Sequence, residues 1–139
     1  MKRQVLQLSI VPSFEDGFVL TLLEKRGRES LSYLLSHREL KRPTSATLES
    51  VGQEFSLSEE ISVTNEEAEN ILQLLTRASM SVSPEYALGV DGVVYELVVS
   101  GGLNEGHYAW WGKVPKGWQA LTQISNALLR LAGKPEIPQ

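Results

Sequence analysis

The stretch that most constrains the fold is residues 88–132, where two strand patterns and a helix pattern follow one another across clear turn residues. Val93-Val-Tyr-Glu-Leu-Val-Val99 is so rich in β-branched and aromatic side chains that it reads as a strand. Asp91-Gly92, just before it, is a dipeptide that readily supplies the positive φ angles of a type I′ turn. Ser100-Gly-Gly102 and Asn104-Glu-Gly106 form a looser second turn, and His107-Tyr-Ala-Trp-Trp111 returns as another strand. Side chains alternate across a strand, so Tyr108 and Trp110 share one face while His107, Ala109 and Trp111 share the other. One of the adjacent indoles belongs in a core; the other needs a second covering layer or stands at the surface. Gly112 to Gly117 turns the chain into a helix with Trp118, Leu121, Ile124, Ala127 or Leu128, and Leu131 at helical spacing, ended by Gly133 and Pro135. Trp118 reads as a packing anchor over Pro115 at the start of that helix.

Upstream, Val5 to Val11 alternates apolar and polar residues and predicts a first strand, ended by Pro12. Phe18 to Leu23 predicts a second, and the charged turn around Gly27 suggests a hairpin with Ser30 to Ser36. Leu31, Leu34 and Leu35 also fit a short helix over 29–40, although the alternation of Leu31, Tyr33 and Leu35 favours a strand. Residues 41–45 read as an exposed connection and 47–51 as a short strand. Phe55, Leu57, Ile61 and Val63 keep period two, as in a strand wet on one side. Thr64-Asn-Glu-Glu67 is a capping box opening a helix whose apolar face is Ala68, Ile71, Leu72, Leu75 and Ala78. The predicted fold class is α+β: one domain over residues 1–139, mainly antiparallel sheet with two amphipathic helices packed on it.

Composition narrows the chemistry. The chain has no cysteine, which removes disulfides, thiol nucleophiles and cysteine-ligated metals. His37 and His107 have no partner at metal-ligating spacing, so neither a metal nor another cofactor is expected. No Gly-x-Ser-x-Gly elbow occurs, and the glycines at 101 and 102 suit a hairpin turn better than a phosphate loop. Glu96, mid-strand between Tyr95 and Leu97, and His107 are the acid–base candidates; a partly solvated outer face is the simpler account of Glu96. No catalytic residue is assigned. The basic start, Met1-Lys-Arg, leads into an interrupted apolar run rather than a secretory segment, and no stretch is long enough to span a membrane. The expectation is a cytoplasmic protein without membrane association.

A net charge of −4 argues against a nucleic-acid partner. The charge is unevenly spread, with residues 1–50 at +2 and residues 51–139 at −6. Glu54, Glu59, Glu60, Glu66, Glu67 and Glu69 fall in a segment without Lys or Arg, and together they form a candidate surface for a basic protein partner. Solubility and helix capping explain the same residues more simply. Trp111 is the candidate anchor, since an exposed indole buries much area at low entropic cost.

The run Gly89-Val-Asp-Gly-Val-Val-Tyr-Glu-Leu, with Tyr108-Ala-Trp-Trp-Gly112, Pro115, Gly117-Trp118 and the leucine-rich helix after it, resembles small uncharacterised bacterial α+β proteins. In size, charge and architecture, though in no motif, the chain is also similar to immunity proteins, which bind and block a toxin. That similarity implies a non-enzymatic protein-binding domain, an immunity or inhibitor protein. Two other readings stay open: a small enzyme or ligand-binding domain with a pocket between sheet and helices, and an assembly protein forming a homo-oligomer.

Overall fold

Alternation in the first strands puts a leucine at every second position, and the sheet is built on that side. The computed structural model describes residues 1–41, 58–84 and 92–138, with the backbone of 54–55. The elements run β1 (Lys2–Pro12), β2 (Gly17–Arg26), β3 (Leu31–Lys41), β4 (Glu54–Phe55), β5 (Glu59–Val63), α1 (Asn65–Arg77), β6 (Val93–Gly101), β7 (Asn104–Trp111) and α2 (Gln119–Leu131). The strand order is β4-β3-β2-β1-β6-β7, with β5 also pairing β3, and the pairings are antiparallel. The protein is thus α+β, as its sequence pattern predicts. Residues 31–41 are strand, which settles the strand-or-helix alternative. The period-two run after residue 54 is two strands on one edge: β4 pairs Leu40 and Lys41, while β5 pairs Tyr33 to His37. The strand expected at 47–51 and most of the connection at 41–45 lie outside the described residues.

Register fixes which side chains meet. Leu6, Leu8 and Ile10 of β1 stand opposite Leu22, Leu20 and Phe18 of β2 and opposite Val99, Leu97 and Tyr95 of β6. A register shift between Gln4 and Leu6 marks Val5 as a bulge, which keeps the later leucines in phase. On this first face α1 contributes Ala68 and Ile71, and α2 contributes Leu121, Ile124, Leu128 and Leu129, to one core. Each fully buried leucine contributes about 1.5–3 kcal/mol relative to exposure, so this face dominates stability.

The helix ends are specified locally. Glu67 N donates to Thr64 Oγ1 at 3.1 Å and Thr64 N donates to Glu67 Oε1 at 3.0 Å, completing the predicted capping box. α2 closes in a Schellman motif: Gly133, at φ +67, donates to Arg130 O, and Lys134 N donates to Leu129 O. Beyond it the chain folds back. Asn126 Oδ1 accepts from Ile137 N at 2.6 Å and Asn126 Nδ2 donates to Ile137 O at 3.1 Å, both in the interior.

One turn differs from expectation, and another lies partly outside the described residues. The turn expected at Asp91-Gly92 involves Asp91, which lies outside the described residues. Gly92 itself serves a close approach: its carbonyl accepts from Ser13 N, and a Cβ would collide with the Ser13 side chain at 2.2 Å. The β6–β7 turn is tighter than read. Gly101 pairs with Asn104, so Asn104 to Gly106 belong to the strand. Gly102, at φ +82, is then the first central residue of a two-residue turn, the position a type II′ turn reserves for glycine.

Candidate functional site

The second face of the sheet carries no described helix. On β6 and β7 it presents Val94, Glu96, Val98 and Ser100 opposite Trp111, Ala109, His107 and Glu105. Trp110, one residue from Trp111, points into the core, is 5% exposed and stacks on Tyr95 at 5.4 Å between ring centroids. Trp111 is 49% exposed, and its cross-strand partner Val94 is 43% exposed. The side-chain alternation read from the sequence is therefore the observed one. Glu96, Ala109, His107 and Glu105 are exposed around this pair. His107 Nε2 lies 3.4 Å from the Glu105 carboxylate. The strand positions of this half-face hold no Lys or Arg, so it is apolar at one end and acidic along its length. β7 is also the last strand of the sheet order, paired only with β6 among the described residues.

The β1–β3 half of the same face differs. Val19, Thr21, Leu34 and Leu40 are all below 10% exposed. On this face the exposed large apolar side chains among the described residues are Val94 and Trp111, on β6 and β7.

The sequence-predicted acidic residues lie elsewhere. Glu59 and Glu60 sit on β5 at the opposite side of the sheet, and Glu66, Glu67 and Glu69 in the first half of α1. Glu54 is in β4 on the same edge as β5. The structure does not bring them to Trp111. It brings one of them to a base from distant sequence: Lys2 reaches Glu60 at 3.7 Å although β2 and β3 intervene in the sheet. Glu67 is spent on the capping box.

Nearby, Glu24 is 5% exposed and clamped by Arg26 at 2.7 Å and Arg3 at 3.2 Å. The Arg26 hydrogen bond holds the Glu24 carboxyl below its ordinary value; burial opposes this, and Arg3 reinforces it. Its cross-strand neighbour Tyr33 is pushed upward by burial first, then by the negative charges of Glu24 and Glu69. A carboxylate held ionised beside a phenol held neutral is a lock rather than an acid–base pair poised near neutral pH. Sequence reasoning missed this cluster because Arg3 and Tyr33 reach Glu24 only through strand pairing, Arg3 from 21 residues away.

One cleft opens between sheet and helices. It has a volume of about 460 Å³ and is lined chiefly by Leu75, Met80, Val99, Tyr108, Trp118 and Ile124. Trp118 builds its wall: the indole meets Tyr108 edge-on at 5.9 Å, and Nε1 donates to Ser81 O at 2.9 Å. The Trp118 indole packs against the core, and toward Pro115 the contact shown is a backbone hydrogen bond from Trp118 N to Pro115 O. Among the described residues no group of three or more His, Asp or Glu side chains is arranged to hold a metal ion. No described helix is long and apolar enough to cross a membrane. Compared with protein-family models, curated proteins and solved structures, the chain matches none.

Proposed function

We propose that the protein is a binding domain that docks another protein on the β6–β7 half of its second sheet face. The observation that carries this reading is the Trp111–Val94 pair, exposed at 49% and 43% on a face without a described covering helix. Burying an indole and its neighbour supplies the apolar centre of a docking site, and tryptophan is enriched among residues that dominate binding energy. Glu96 and Glu105 flank that centre with no basic strand neighbour, so the partner carries Lys or Arg around an apolar patch. An immunity or inhibitor protein, with a basic toxin as partner, is the specific form of this reading, resting on size, acidity and architecture.

The test is capture from lysate of the source cell at low and high salt, using wild type, Trp111→Ser, Glu96→Lys with Glu105→Lys, and Glu59→Lys with Glu60→Lys. A stoichiometric, salt-sensitive partner lost by the first two variants and kept by the third supports docking on β6 and β7. Loss only with the third assigns docking to the β5 edge and refutes the β6–β7 site. Equal capture by all variants refutes both.

The cleft favours a second reading, an apolar small molecule held between sheet and helices. A volume of about 460 Å³ is in the range of small-molecule sites. Fluorescence of the wall residue Trp118, measured against a panel of aromatic and acyl probes in a Trp111→Phe background, decides it: saturable quenching supports the reading and none removes it.

A further inference from the structure

We propose that the cavity at the start of α2 is an oxyanion site that takes the phosphate group of a small phosphorylated molecule. The cavity holds about 370 Å³ and is lined by Lys113, Val114, Lys116, Gln119 and Thr122. α2 is 13 residues long, has no side-chain cap at its N-terminus and no acidic residue in its first turn. The positive end of its dipole is therefore left uncompensated, whereas α1 meets the same need with Glu66, Glu67 and a complete capping box. Gln119 does not fill the gap, because its Oε1 accepts from Gly117 N at 2.9 Å.

Two features independent of the helix end point to a ligand. Lys113 and Lys116 line the cavity, and neither has a carboxylate within ion-pair distance among the described residues. Thr122, also in the lining, is 1% exposed, and its Oγ1 has no hydrogen-bond partner among the described residues. A buried hydroxyl without a partner is costly, and native interiors rarely tolerate one. Two ammonium groups and a helix N-terminus offer more positive charge than one carboxylate neutralises, whereas a phosphate dianion matches it. The volume exceeds what phosphate alone fills, leaving room beside Val114 for the group that carries it.

The experiment is an amide-resolved NMR titration of the full chain with inorganic phosphate, glycerol phosphate, acetate and chloride at constant ionic strength. Phosphate and glycerol phosphate are expected to shift the amides of Gln119, Ala120 and Leu121 saturably. Lys113→Gln with Lys116→Gln should weaken that binding at least tenfold. Thr122→Val keeps the side-chain shape and removes the hydroxyl, so it should weaken binding several-fold while the remaining amide spectrum is unchanged. Tighter saturation by glycerol phosphate than by inorganic phosphate identifies a phosphorylated small molecule rather than the free ion. Shifts that fail to saturate, that chloride reproduces, or that persist in the lysine variant overturn the site. Acetate binding as tightly as phosphate overturns the phosphate assignment.

Discussion

Trp110 and Trp111 are chain neighbours on one strand, yet they belong to different energetic worlds. Trp110 faces the helices, is 5% exposed and stacks on Tyr95; Trp111 faces away and is 49% exposed. The pleat alone makes that division. On the first face the central strand positions pack against the helices and neighbouring strands, so side-chain identity sets stability. On the β6–β7 half of the second face most side chains, Val98 excepted, meet solvent, so their identity is free to serve recognition.

The sharpest way to break this contrast is to truncate each indole in turn. Trp110→Ala removes a buried aromatic from the main core and should cost about 3–5 kcal/mol, read as a lowered urea midpoint with an unchanged slope. A cost below about 1 kcal/mol would mean that Trp110 is not the core indole.

The tail comes next in size. Asn126 satisfies both backbone groups of Ile137, which is 6% exposed and belongs to the core. Asn126→Ala leaves a donor and an acceptor without partners in the interior, costing about 1–3 kcal/mol for each group that stays buried. The check is thermal unfolding beside a chain truncated before Glu136. Equal destabilisation by both changes means Asn126 acts through the tail; a smaller effect of truncation places its role elsewhere in α2.

The Arg3–Glu24–Arg26 cluster extends the comparison to charge, since it lies on the first face at the sheet's end. Its carboxyl is held below its ordinary value in the folded state, chiefly by the hydrogen bond from Arg26. A group with a lowered folded pKa stabilises the fold above its unfolded pKa and loses that contribution as pH falls through the folded value. Stability should therefore fall below the ordinary carboxylate range, and Glu24→Gln should be less stable than wild type near neutrality but flatter in acid. Urea midpoints measured from neutral pH downward test it; parallel profiles for the two proteins would remove Glu24 from the acid response.

Much of this was legible in the sequence, and the boundary of legibility is physical. The capping box spans four residues, the Schellman glycine sits next to the helix it ends, and the pleat splits adjacent indoles, so each needs only local rules. The alternation of Leu6, Leu8 and Ile10 likewise predicts a buried face. What escaped depends on register between distant strands. The six glutamates from Glu54 to Glu69 read as an unopposed acidic segment because Lys2, which meets Glu60, is 58 residues away. The need for glycine at Gly92 where Ser13 approaches was likewise hidden, because that contact exists only once β1 and β6 pair. The Asn126–Ile137 pair was invisible for a similar reason: an asparagine on a helix face gives no sign that a tail will return to it. The candidate docking surface was half legible. Trp111 could be placed on an outer face, but Val94 and Glu105 joined it only when strand register was known.

The smallest expected effect is the most discriminating. Trp111 has one cross-strand neighbour on its face, Val94, and a pair of that kind contributes about 0.2–1 kcal/mol. Trp111→Thr keeps β-propensity and removes the indole, so the unfolding midpoint should shift by less than about 1 kcal/mol. If the face is built for docking, the same substitution should weaken partner binding by about 2 kcal/mol or more, the scale of a hot spot. Stability untouched with affinity lost is the signature of a side chain kept for recognition. Stability lost in proportion would show that Trp111 is held by packing, and that the two faces differ less than their exposures imply.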